Sequence, residues 1–316
     1  MEVLGPKYIN PYTDFGFKKL FGEEGNKDLL IDFLNQLLPK RHQIAYLTFR
    51  SVEMLPEILD ERKAFFDIHC IAENGESFIV EMQKAKVKFF KDRALFYTTH
   101  PIREQAAKGA EWDFRLDPIY FIAILDFPYD ETTESAKFRR DVCLKDQDGE
   151  EFYDKLHFKF LQMPLFNKQA HELENRFDKW CYFLKNLESF HEIPQILSEP
   201  LFEKAFSTAE VANFTRAQRD AYEQSMMDYI GVKEVAASAR EEGKIEGKIE
   251  GKIEGKIEGK IEGKIEGKIE GAMEEKISTI IEMANEGFTI VQIAKVTKLT
   301  EENVKQILLT NSKNLS

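Results

Sequence analysis

The stretch "FFDIHCIAENGESFIVEMQ", residues 65–83, constrains this chain more than any other. Two apolar, strand-like runs flank Asn74-Gly75, a dipeptide that tolerates the positive φ angles of tight hairpins. Each run carries a carboxylate in its middle, Asp67 and Glu81. The length of the tip decides where those acids go. A two-residue tip, Asn74-Gly75, sets Asp67 against Met82 and turns Glu81 to the opposite face. A three-residue tip, Glu73-Asn74-Gly75, pairs Ala72 with Glu76. Cys70 then faces Phe78, His69 faces Ile79, Ile68 faces Val80, and Asp67 faces Glu81. Three-residue tips favour a left-handed residue at their third position, where Gly75 stands, so this second register is the predicted one.

In that register the two acids lie directly across from each other, with Cβ atoms about 4.5–5.5 Å apart. Like charges so placed destabilise a sheet. A divalent cation between them relieves the repulsion, and oxygen ligands suit Mg²⁺, which takes one or two carboxylates plus waters and substrate phosphate. Gln83 shares the face of Glu81 by strand alternation. Lys84, by the same rule, falls on the other face. The plain alternative is that Asp67 and Glu81 are ordinary residues of a solvated sheet face. Phe65, His69 and Ile79 on that face argue against open solvent. His69 reads as packed beside the site and not as a ligand.

The rest of the chain supplies a frame. Residues 12–39 read as two short helices, the second ending at Pro39. Residues 89–109 read as helix interrupted near Pro101, with Phe89, Phe90, Phe96 and Tyr97 as core aromatics. "PIYFIAILDF" (118–127) is nearly all apolar, as in a strand covered on both faces. Residues 152–166 read as a further strand, 172–187 as an amphipathic helix, and more helix follows to about Arg240. This order describes an α/β mixed sheet flanked by helices, with a helical C-terminal extension.

From Gly243 to Glu270, "GKIE" repeats seven times. A four-residue period drifts about 40° per repeat around a helix, so the isoleucines form no single seam. Lys and Glu are spaced two or six apart and miss the usual intrahelical pairing distances. An exposed helix is the favoured reading; a flexible linker and a strand stay open. After this spacer (241–271), residues 272–316 suggest a small helix-turn-helix-like unit. Gly287 is a stop signal, Thr289 with Gln292 a capping box, and Thr300 a further cap. The catalytic body is then expected to span residues 1–240.

Net charge is -12, so no global basic surface draws nucleic acid. A local patch, "KAKVKFFKDR", sets Lys84, Lys86, Lys88, Lys91 and Arg93 beside the carboxylates. Such a run is most often a solvated face, but its place here suits contact with DNA phosphates. The C-terminal unit has five Lys and six Glu, a poor balance for phosphate; its partner is DNA or protein. Cys70, Cys143 and Cys181 lack metal-binding spacing and read as buried reduced thiols. The N-terminus lacks a signal-peptide layout and no run is long enough to span a bilayer. A soluble cytoplasmic protein with no membrane partner is expected.

A carboxylate followed by Glu-x-Gln on the next strand is similar to the PD-(D/E)xK nuclease site, with Gln83 where Lys is usual. More closely, the chain resembles the recombination-promoting nuclease (Rpn) family, or PD-(D/E)xK nuclease-family putative transposases. The residues that carry the resemblance are "NPYTDFGFKKLFG" (10–22), "ERKAFFDIHC" (61–70), "FIVEMQ" (78–83), "KDRALFY" (91–97) and "PIYFIAILDF" (118–127). The resemblance implies a restriction-endonuclease-like core, a bacterial cytoplasmic setting, and a Mg²⁺-dependent DNA endonuclease linked to recombination or mobile elements. It implies Asp67 and Glu81 as metal ligands and Gln83 as a catalytic residue. Asp14 matches the acid of the first helix, where it caps the helix, serves the metal site, or does both. One site cuts one strand, so cutting a duplex through both strands needs two sites, which a homodimer would supply. The rival expectation is a catalytically silent DNA- or protein-binding factor that kept the fold, because Gln83 cannot accept a proton as an amine does.

Overall fold

A computed structural model describes residues 6–40, 42–51, 53–54, 64–106, 113–129 and 137–312, without the side chains at 53, 54, 64, 65 and 312. The expected role of Phe65 as a neighbour of the acids, and residues 61–63 of the second motif, therefore lie outside the described parts. The chain forms two compact units, residues 1–238 and 239–316.

The first unit opens with α1 (Asp14–Phe21) and α2 (Lys27–Asn35). The "NPYTDFG" turn before α1 is fixed atom by atom. Asn10 Oδ1 accepts the Tyr12 amide at 2.8 Å, and Thr13 Oγ1 caps the helix by accepting the Gly16 amide at 2.9 Å. A Cβ on Gly16 would stand 2.2 Å from the Asn10 carbonyl oxygen, so that position admits only glycine. Thr13, and not Asp14, is thus the cap; Asp14 is the first helical residue. Helix α2 stops at Asn35, ahead of Pro39, with Leu37 and Leu38 still buried beyond its end.

Among the described residues eight strands follow: β1 (Leu47–Phe49), β2 (Glu53–Met54), β3 (Ala64–Phe65), β4 (Ile68–Ala72), β5 (Ser77–Gln83), β6 (Ile119–Leu125), β7 (Arg139–Lys145) and β8 (Glu151–Gln162). Six build one mixed sheet in the order β1-β4-β5-β6-β8-β7, while β2 and β3 pair separately. β5, β6 and β8 run parallel, and the flanking pairs are antiparallel. Every residue of β6 is buried, as its apolar run requires. β7 escaped the sequence reading because it is a polar edge strand whose residues are exposed or half-buried.

Helix α3 (Phe90–Gln105) lies between β5 and β6 in the chain and runs unbroken through Pro101, contrary to the expected interruption. Thr98 and Pro101 are buried on one face of this helix, and that packing holds a residue that disfavours helix interiors. Helices α4 (Arg176–Asn186), α5 (Pro200–Ala209) and the start of α6 (Arg216–Asn285) complete the unit.

Strand alternation divides the core in two. Phe78, Val80 and Met82 of β5 join Tyr120, Ile122 and Ile124 of β6 in the larger cluster, with the aromatics of α1, α2, α4 and α5. Ile79 joins Phe121, Ala123 and Leu125 in a smaller cluster roofed by Phe90, Ala94 and Tyr97 of α3. Glu81, two residues beyond Ile79, therefore projects to the α3 side. Of the four aromatics expected in the core, Phe90 and Tyr97 are buried, whereas Phe89 and Phe96 are exposed. Cys70 and Cys181 are buried free thiols and Cys143 is half-buried.

In the second unit the GKIE repeats are helical, part of α6. After Gly287, at φ +91°, come α7 (Ile290–Thr297) and α8 (Glu301–Ser312). The Thr289–Gln292 capping box forms, and Thr300 Oγ1 accepts the Asn303 amide at 3.3 Å. Ile280, Ile293, Ala294 and Val304 make a small core of their own.

Candidate active site

The hairpin tip sets the register. Gly75 adopts φ +90°, and the Ala72 amide donates to the Glu76 carbonyl at 2.9 Å across a three-residue tip. Ile68 then faces Val80, His69 faces Ile79 and Cys70 faces Phe78. Carried one step further, this pairing sets Asp67 opposite Glu81.

Asp67 departs from expectation in one respect: it stands in a bend just before β4, not within the strand. By alternation Phe66 would share the face of Ile68. Instead its ring packs edge-on against Tyr97 and His69 on the α3 side, at 5.2 and 5.5 Å between centroids. The bend frees the ladder at this point, and the two acids take up its hydrogen bonds. The Met82 amide donates to Asp67 Oδ2 at 2.7 Å, and the Asp67 amide donates to Glu81 Oε1 at 3.2 Å. Each carboxylate is thereby anchored at the other's stretch of backbone.

Glu81 is 1% exposed, and its partner across the parallel pair with β6 is Ala123. Burial and then the charge of Asp67 raise the Glu81 pKa far above the carboxylate range; Arg93 and hydrogen bonds from the Asp67 amide and Gln83 pull partly the other way. Burial also raises Asp67, against the Met82 amide; Asp14 adds to the rise, and Lys18 and Arg93 oppose it. Two acids that resist ionising together, in a setting of hard oxygen donors, fit a divalent cation. Among the described residues no group of three or more His, Cys, Asp and Glu side chains is placed to hold a cation, and the site offers the two acids Asp67 and Glu81. Such a pair matches the sparse protein ligation of Mg²⁺, which keeps waters and substrate oxygens.

Gln83 Nε2 donates to Glu81 Oε2 at 2.8 Å, so the amide orients the buried acid. The Gln83 backbone carbonyl accepts the Asp126 amide at 2.9 Å, and Asp126 is in turn held by Tyr229 and Lys233 of α6, each at 2.6 Å. Asp14 pairs with Lys18 at 2.9 Å. Lys84 follows the end of β5, so alternation no longer governs it. It lines an open cleft of about 660 Å³ with Asp14, Lys18, Lys19 and the α6 residues Gln224 and Asp228. His69 is buried and bonds Ser77 Oγ at 3.1 Å, which gives it a packing role.

Two contributors were missed in the sequence. Lys18 reaches Asp67 electrostatically from one turn beyond Asp14, an i,i+4 spacing that was available as a signal. Tyr97 accepts from Arg93 Nε at 2.8 Å, and the Arg93 guanidinium lies 5.0 Å from its ring centre. That brace aims Arg93, which sequence assigned only to a basic run, at both carboxylates. Of the other basic residues, Lys86, Lys88 and Lys91 line a separate groove with Phe89.

Among the described residues no helix is long and apolar enough to cross a membrane. Neither the curated proteins nor the solved structures yield a match to this chain. The family described as PD-(D/E)XK nuclease family transposase matches residues 11–239, a span that holds both acids, Gln83, α3 and the whole six-stranded sheet. The chain belongs to this family of nuclease-like transposases.

Proposed function

We propose that the protein is a Mg²⁺-dependent DNA endonuclease that hydrolyses phosphodiester bonds in recombination or mobile-element processes. The observation that carries this reading is the mutual anchoring of Asp67 and Glu81, two acids with raised proton affinity, at one end of a central hairpin. Asp67 and Glu81 are the residues that would hold the cation. When bound, a divalent cation supplies charge neutralisation at the scissile phosphate and acidifies water. Gln83 neither takes nor gives a proton; it fixes the Glu81 carboxylate through its Nε2 hydrogen. Asp14 and Lys18 border the site from α1, and Arg93 faces it from α3 with a charge suited to a phosphate oxygen. Lys84, Lys86, Lys88 and Lys91 are placed to track the DNA backbone.

The test is supercoiled plasmid with Mg²⁺, comparing wild type with Asp67→Ala and Glu81→Ala. Nicked or linear product is expected from wild type, none from either variant, and none in chelator. A linear product formed without a nicked intermediate supports a homodimer with two sites acting together. Cleavage that survives Asp67→Ala would overturn the assignment. The absence of a lysine at position 83 favours a second reading, a factor that binds DNA or protein without cutting. Retained DNA binding by a wild-type protein that never cleaves would establish it.

A further inference from the structure

Phe89 is hard to explain by folding. It is 67% exposed, yet it occupies the left-handed region, φ 60° and ψ 35°. That conformation strains a non-glycine residue. Its geometric cause is local. Phe90 must enter the small core against Phe127 and Phe160, and the Phe89 carbonyl must accept the Arg93 amide at 3.0 Å to start α3. One left-handed residue makes that turn and throws its own side chain outward. Glycine or asparagine would do so without strain. A phenyl ring there contributes little to the core.

Its surroundings supply what a nucleic acid strand needs. The Lys88 ammonium lies 5.2 Å from the ring centre of Phe89, and the Lys91 ammonium 5.4 Å from that of Tyr129. With Lys86, Val87, Phe90 and Asp92 these residues line a groove of about 470 Å³. Ammonium groups beside an exposed ring form a combination that tracks phosphates while offering a flat face to a base. The first turn of α3, which lines the groove through Phe90, Lys91 and Asp92, also carries Arg93. One helical turn beyond Phe89, Arg93 acts on both Asp67 and Glu81. Bases inside a duplex are stacked on each other and offer no face to such a ring.

We infer that Phe89 is a base-stacking residue, and that the preferred substrate is DNA with unpaired bases next to the cleaved phosphate. This inference rests on the endonuclease reading for the role of Asp67 and Glu81. Its own core, stacking of an unpaired base on Phe89, is separately measurable.

The test compares binding of a fluorescein-labelled single-stranded oligonucleotide and its duplex, in chelator, by wild type, Phe89→Gly, Phe89→Leu and Phe89→Trp. Glycine suits the left-handed backbone, so Phe89→Gly keeps or raises the melting temperature and isolates the ring. Single-strand affinity is expected to fall roughly 5- to 100-fold in Phe89→Gly and Phe89→Leu and to persist in Phe89→Trp. Duplex affinity should change less than about twofold, and the salt dependence should stay that of the lysines. Equal single-strand binding by wild type and Phe89→Gly would overturn the inference, as would equal losses on both substrates or no single-strand binding by wild type. Ring-dependent single-strand binding by a protein that never cuts would leave the inference standing and remove the endonuclease reading. Asp67-dependent cutting with no effect of Phe89 on binding would do the reverse.

Discussion

The β4–β5 hairpin and the GKIE segment are opposite ways of using a repeating pattern. Along β5 six of seven residues are buried, all seven pair with β6, and Ser77, Phe78, Ile79 and Val80 pair with β4 as well. Along the repeat, six of the seven isoleucines are 53–55% exposed, so one unit is interchangeable with the next. The hairpin ties identity to position; the repeat does not. Chemistry that depends on two carboxylates meeting can be built only in the first kind of segment.

The largest expected contrast follows at once. Inserting one alanine between Ile79 and Val80 moves either Glu81 or Ile79 to the wrong face, in a strand paired on both sides. No cooperative thermal transition is expected, with the protein recovered as aggregate. Inserting one further Gly-Lys-Ile-Glu unit after Glu270 adds four residues and should leave the melting temperature of the first unit within about 1 °C, because it touches nothing that packs. A folded alanine-insertion protein would show that register is less tightly held than the pairing implies.

A second contrast lies in charge. In the hairpin the buried Glu81 carries a raised pKa, chiefly from burial and then from Asp67. Between the unfolded value near 4.5 and that raised folded value, the folded state holds a proton the unfolded state has released. The stabilising contribution is therefore complete below pH 4.5 and drains as pH rises through the folded pKa. Metal-free wild type should lose melting temperature from pH 5 to 8, and Glu81→Gln should flatten the profile and melt about 3–8 °C higher at pH 8. Added Mg²⁺ should restore wild type at pH 8 and affect Glu81→Gln less. A flat wild-type profile would mean that Glu81 ionises as freely as a surface acid.

These tests also mark what the sequence could and could not carry. The register was legible because Gly75 at the third tip position selects one loop length, and β6 was legible because both its faces are covered. The cap at Thr289 was legible because its partner Gln292 is three residues away. What stayed hidden turns on single backbone events that periodicity does not encode. The bend at Asp67 takes that acid out of its strand and moves Phe66 across the sheet. The left-handed turn at Phe89 ejects one of two adjacent phenylalanines while burying the other. The end of β5 at Gln83 releases Lys84 from alternation. β7 was invisible for a different reason: an edge strand in water needs no apolar pattern.

The smallest expected effects come from alanine at two glycines, and they differ in sign. At Gly75 the backbone is at φ +90°, and an added Cβ would lie 2.6 Å from Asp117 Oδ2. The carboxylate is a side-chain end and can move, so the cost is mainly the left-handed strain, roughly 1–2 kcal/mol. Gly75→Ala should therefore melt about 2–8 °C lower. At Gly255, inside the repeat, a Cβ meets nothing within 4 Å. There Gly255→Ala should stabilise the local helix by about 1 kcal/mol, read as slower amide exchange in the neighbouring units with no change in the first unit's melting. Glycine in the tip is required by its conformation; in the repeat it holds helix stability down without any steric demand. Destabilisation by Gly255→Ala would contradict that distinction, because it would reveal a packing partner on a surface that otherwise faces only solvent.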